Sequence, residues 1–196
     1  MKKGLLIALG VVVFLVVVGL MFVAWYIGIG NRLVFLHENV QTAWAQVETV
    51  LQRRYDLIPN LVATVKGYAQ HEKGLLEEVT RLRSQWGAAR SVDEKVKAAG
   101  KLEGTLSRLL LVAEQYPDLK ASQNFRDLQY ELAGTENRIS VERQRYNEAV
   151  RAYNTAVRQF PGSFVAGIRG FSADATYFEA AGAAKEAPKV DFGTGK

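Results

Sequence analysis

The chain has 196 residues, 48% of them hydrophobic and 23% charged, with four prolines, which excludes a large multidomain enzyme, a fully disordered chain and a collagen-like one. It contains no cysteine, so disulfides, thiolate nucleophiles and cysteine-ligated metals are excluded as well. The net charge of +5 includes Lys2 and Lys3, and what is left is too dilute to argue for nucleic acid as a partner.

From Gly4 to Gly30 no residue is charged, and the middle of this run is rich in valine. As a helix rising about 1.5 Å per residue it spans roughly 40 Å, enough to cross the hydrocarbon core of a bilayer. Trp25 and Tyr26 stand near its distal end, where amphipathic rings favour the interface, and Arg32 closes it. A basic pair followed by an apolar run also opens a cleaved signal peptide. Here, however, the position two before Ala24 is Phe22, too bulky for a peptidase that reads small side chains. Residues 1–31 therefore read as an uncleaved transmembrane anchor. Lys2 and Lys3 before the span place the N-terminus in the cytoplasm and the large domain on the opposite side.

Past the anchor, Val40, Trp44, Val47, Leu51, Ile58, Leu61, Val65 and Tyr68 recur at steps of three and four with Arg54 in one polar slot, and Leu75, Val79, Leu82 and Trp86 resume the same phase. This is a helical stripe. It predicts either one bent helix reaching Gly87 or two helices joined by Asp56 to Asn60, because Pro59 removes a backbone donor and crowds the preceding turn. Ser91 with Glu94 three residues on is a capping-box signal for a second helix, whose stripe is Val92, Val96, Ala99, Leu106, Leu109 and Ala113. Tyr116-Pro117-Asp118 ends it. The last long stripe runs from Phe125 through Leu132, Ile139, Tyr146, Val150, Tyr153 and Val157 to Phe160, and Pro161-Gly162 stops it.

None of these amphipathic stripes is stable alone in water, and short connections make neighbours antiparallel. The fold class is all-α, a single N-terminal transmembrane helix followed by a long antiparallel helical bundle over residues 32–179. The tail containing Phe164 and Phe171 is too apolar to ignore solvent and is expected to dock on the bundle or on a partner. Residues 180–196 read as a flexible C-terminal tail.

Two constellations are candidate structural or interaction sites. Tyr146-Asn147 is echoed seven residues later by Tyr153-Asn154, an offset that returns to one helix face. The pair of seams serves either packing, with asparagines fixing register, or recognition of a partner. Arg53, Arg54 and Asp56 precede Pro59 and Asn60, a spacing that suits an ionic lock where the chain bends, with Arg54 needing a buried partner. The two histidines, His37 and His71, come without paired Glu-x-x-His elements, and neither a glycine elbow nor a phosphate loop is present. No metal, cofactor or catalytic residue is expected, and the chain reads as a non-enzyme.

Residues 53–62, Arg53-Arg54-Tyr55-Asp56-Leu57-Ile58-Pro59-Asn60-Leu61-Val62, with Tyr116-Pro117-Asp118-Leu119-Lys120-Ala121, Glu136-Asn137-Arg138-Ile139, Arg145-Tyr146-Asn147, Tyr153-Asn154, Phe160-Pro161 and Gly170-Phe171, closely resemble the LemA family of bacterial membrane proteins. Where that family often has a tyrosine before the asparagine at the membrane exit, this chain has Gly30. The resemblance implies a membrane helix followed by a long helical domain, a place in the bacterial inner membrane, and a role in membrane organisation with no established reaction. It also admits the opposite orientation, with the large domain in the cytoplasm.

Two functions fit. One is a membrane-anchored scaffold or assembly protein that forms a homo-oligomer and whose partners are the lipid bilayer and a further membrane protein. The alternative is an adaptor or regulator of membrane proteases or transporters acting through peptide or lipid binding.

Overall fold

The computed structural model describes residues 2–173 and 176–178, so the tail expected over 180–196 lies outside the described residues. The described elements are all helical: α1 (Lys2–Asp56), α2 (Ile58–Lys66), a short 3-10 turn (Gln70–Glu72), α3 (Lys73–Ala88), α4 (Val92–Ala113), α5 (Pro117–Ala121), α6 (Gln123–Arg158) and α7 (Gly162–Arg169). The fold is all-α, with no strand among the described residues.

The chain forms two compact units, each drawing on part of α1 and part of α6. Among the described residues one comprises 2–46 with 144–173, the other 47–143 with 176–178. In the first unit the early part of α1 is bare: Leu6, Leu9, Phe14, Leu20 and Met21 are 61–67% exposed, as an apolar helix is when nothing but solvent or lipid surrounds it. Burial begins at Gly30 and continues with Leu33, Val40 and Trp44 of α1, and this unit also buries Tyr146, Val150, Tyr153 and Val157 of α6 and Val165 and Ala166 of α7. Trp44 meets Tyr146 edge-on at 5.6 Å, the geometry that ring quadrupoles favour.

In the second unit Val47, Leu51, Tyr55, Ile58, Leu61 and Val65 form one buried stripe, joined by Leu76, Val79, Leu82 and Trp86 of α3 and by Leu102, Leu106 and Leu109 of α4. Leu132 and Ile139 of α6 are buried in this unit too. Ser91 caps α4 as its spacing predicts: its hydroxyl accepts from the Glu94 N–H while the Glu94 side chain reaches back to the Ser91 N–H. The backbone donors of Arg90 and Ser91 hold the Glu94 carboxyl below its usual range.

Two expectations need correction. At Pro59 the helix is interrupted at a single residue, Leu57, whose dihedrals remain right-handed helical, so the chain kinks and restarts at once as α2. Neither a continuous helix to Gly87 nor two helices joined near Pro59 describes the chain beyond the kink. α2 ends at Lys66, and α3 turns back to pack on it, bringing Arg83 and Trp86 to Tyr55. Tyr68, expected in the stripe, is 47% exposed at this turn, and Ala69 is buried in its place. The apolar phase carries straight across a reversal because a turn of a few residues preserves it without preserving the helix axis.

Candidate functional site at the helix kink

The geometry at the kink follows from what proline lacks. In an unbroken helix the carbonyl of Tyr55 would accept from the N–H of residue 59. Pro59 has no such donor. Arg83 of α3 supplies it, its Nε donating to the Tyr55 carbonyl at 2.9 Å while its NH2 lies 3.7 Å from the Asp56 carboxylate. Asp56 also accepts from Gln52 at 2.7 Å. Pro59 and Asn60 themselves face solvent. The Asn60 carbonyl accepts from the Thr64 hydroxyl at 2.8 Å.

One residue before Tyr55, Arg54 is 6% exposed, among the few charged or polar residues in the core. Its guanidinium pairs with the Glu136 carboxylate and lies 3.9 Å from Glu103. Glu103 is held from the other side by Arg143 through two hydrogen bonds of 2.9 and 3.0 Å, the bidentate fork that guanidinium and carboxylate planes permit. Burial pushes the Arg54 guanidinium below its usual value, and the Glu103 charge pulls the other way. The Tyr55 phenol is pushed well up by burial and by the same carboxylate. Its hydroxyl has no hydrogen-bond partner among the described residues, nor has the Trp86 indole N–H. The two rings pack at 4.8 Å with planes at 77°. Lys95 covers Trp86 at 5.4 Å and pairs with Glu48, and Phe178 lies 4.8 Å from the Arg143 guanidinium. Arg53, by contrast, points outward and meets Glu131 at 3.9 Å with both side chains more than half exposed, a contact worth little in water.

Arg54 and Asp56 thus have separate partners, Glu136 with Glu103 for the first and Arg83 with Gln52 for the second, and Arg53, Pro59 and Asn60 are exposed. Arg83, Glu103, Glu136 and Arg143 belong to the site and were not anticipated. The proline was the available signal for Arg83, since it orphans a buried carbonyl that some donor must satisfy.

In the other unit Tyr146, Tyr153 and Asn154 are buried and Asn147 is half-buried. Tyr153 packs on His37 at 5.4 Å, and the Phe171 ring lies 6.4 Å from the same imidazole. Burial raises the Tyr146 phenol above its ordinary value. Phe164 faces outward, 53% exposed.

A groove of about 680 Å³ opens in the second unit, with Val62, Ala69 and Leu76 as apolar lining, Lys66, Lys73 and Arg81 contributing cationic groups and Glu77 a carboxylate. Lys73 lies 3.7 Å from Glu77 and Arg81 3.9 Å from Glu78.

These features define an all-helical protein with one N-terminal helix long and apolar enough to cross a membrane, and with an ionic knot buried behind a proline kink. The chain belongs to the LemA family, whose sequence pattern matches residues 43–192. It is 28% identical to the magnetosome proteins MamQ 1 and MamQ 2 of Paramagnetospirillum magneticum, over 76% of this chain and 64% of each of theirs. It is 25% identical to the protein LemA of Metamycoplasma hominis, over 75% of this chain and 67% of the other. The chain thus spans just under two thirds of the length of the MamQ relatives.

Proposed function

We propose that this chain is a non-enzymatic scaffold of the bacterial inner membrane, anchored by α1 and self-associating through α6. Lys2 and Lys3 ahead of the span favour an extracytoplasmic domain, which protease accessibility of the C-terminus in intact cells checks. The observation that carries the reading is a stripe on α6 opposite its buried face. Tyr130, Gly134, Asn137 and Val141 share one side of the helix, all are exposed and none is charged. Tyr130 is 77% and Val141 48% exposed, and exposed Arg126, Asp127, Glu131 and Arg138 flank them. An uncharged exposed stripe of this kind becomes stable when a second copy covers it.

Native mass spectrometry of the full chain in mild detergent tests this. A discrete multimer is expected, and the paired substitution Tyr130→Glu with Val141→Glu should reduce it to monomer with helicity unchanged. A wild-type protein that is monomeric at all concentrations overturns the reading. The groove at Lys66, Lys73 and Arg81 favours a second reading, an adaptor that binds an anionic peptide or lipid there.

A further inference from the structure

The apolar tail contains a helix, α7, whose two sides differ sharply. Val165 and Ala166 are buried against the first unit. Phe164 and Ile168, four residues apart and so on one face, are 53% and 59% exposed, and Phe160 just before the helix is 80% exposed. Three large apolar side chains in water on one short segment require an explanation, and their position relative to α1 supplies it.

About 20 helical residues cross the hydrocarbon core, so an uncharged run from Gly4 to Gly30 leaves its last positions, including Trp25 and Tyr26, in the headgroup zone. The end of α7 is docked there. The Arg169 guanidinium lies 5.1 Å from the Tyr26 ring and over Gly30, where it would have to move aside for a Cβ. Gly170 then ends α7 in the left-handed region, with φ of 74°, and the Phe171 N–H returns to the Ala166 carbonyl at 3.0 Å. The start of α7 borders the next turns of α1, since Phe160, Pro161 and Gly162 share a cleft with Ile29, Leu33 and Arg32.

The charge around it matches a phosphate-bearing surface. Arg32, Arg151, Arg158 and Arg169 are exposed in this unit, and none forms an ion pair among the described residues. Glu38 and Glu148 are the nearby exposed carboxylates, leaving a cationic excess. We propose that α7 is a bilayer-docking face, in which Phe160, Phe164 and Ile168 enter the boundary between headgroups and acyl chains while Arg32, Arg151 and Arg169 engage anionic lipid phosphates. This rests on the anchored reading above. It makes the tail a second lipid contact of the same unit, set against the membrane exit of α1.

The absence of cysteine allows a clean test with the full chain in vesicles. Single substitutions Phe14→Cys, Phe164→Cys, Ile168→Cys and Ser107→Cys are labelled with an environment-sensitive fluorophore, in vesicles of phosphatidylcholine with or without phosphatidylglycerol carrying nitroxide-labelled acyl chains. Position 14 reports the anchor and position 107, exposed on α4, the aqueous control. Quenching at 164 and 168 should exceed that at 107 by about twofold or more and should rise with phosphatidylglycerol. Substituting Arg32→Gln and Arg169→Gln should remove that rise. Quenching at 14 with none at 164 and 168, or quenching there that ignores phosphatidylglycerol, overturns the docking face and leaves the anchor standing. No quenching at 14 overturns the anchor itself.

Discussion

Arg83 performs at the kink the task that Pro59 leaves undone, and the two are therefore coupled. Arg83→Met should cost about 1–3 kcal/mol, the usual penalty for a buried carbonyl left without a donor. Pro59→Ala restores an N–H four residues beyond Tyr55, so the double variant should recover part of that loss. Thermal unfolding of the four proteins of this cycle in detergent reads the coupling, and strictly additive losses contradict the account. The ionic knot makes an asymmetric prediction. Glu103→Gln takes the paired carboxylate from Arg143 while Arg54 keeps Glu136, and should cost about 3–5 kcal/mol, whereas Arg54→Met leaves Glu103 paired with Arg143 and Glu136 half in solvent, and should cost about 1 kcal/mol or less. A loss from Arg54→Met as large as that from Glu103→Gln, measured by denaturant unfolding, contradicts Glu103 as the centre of the knot.

Tyr55 carries a pH dependence of definite sign. Its phenol is raised above the ordinary 10.0 by burial, so above that pH the unfolded chain gives up a proton that the folded one keeps, and stability falls as pH rises. Below pH 10.0 both states hold the proton and the contribution is complete. Tyr55→Phe should be neutral or stabilising at neutral pH, because it removes a buried hydroxyl without a partner, and it should flatten the decline above pH 10.0 that Tyr146 and Tyr116, also raised, retain. A variant as steeply alkali-sensitive as the wild type contradicts this. At this scale Arg54 was legible in the sequence, as a charge in an apolar slot. Its partners Glu103 and Glu136 were not, nor was Arg143, which holds Glu103, since they sit on helices distant in sequence whose surfaces carry many similar charges.

Among the elements, α4 and α6 could be read from their apolar stripes and from the Ser91 cap and Pro161-Gly162 stop. Two could not. The reversal between α2 and α3 is masked because Tyr68 and Leu75 continue the earlier phase, and only Gly67 hints at the end of α2. α7 comes after a stop signal and is short, so its period is hard to separate from scattered apolar residues. The structure shows what holds its start: a Cβ at Gly162 would run into the Ala156 carbonyl of α6. Gly162→Ala should therefore destabilise the first unit by about 1–3 kcal/mol or displace α7, while Gly167→Ala, with open space around it, should have little effect. Hydrogen exchange over α7 distinguishes the two, and equal protection in both variants contradicts the packing described.

For the whole molecule, the exposed apolar length of α1, the cationic surface beside α7 and the uncharged stripe of α6 are explained together if the chain lives at a bilayer and gathers copies of itself there. Solvent-exposed valine and leucine along about 30 Å of helix have no stable alternative in water. The most direct measurement is the intact mass of the protein isolated from the cells that make it, after an alkaline wash of their membranes. The account predicts the chain with α1 still attached, in the membrane pellet. A soluble product whose first residue lies beyond Ala24 would contradict it.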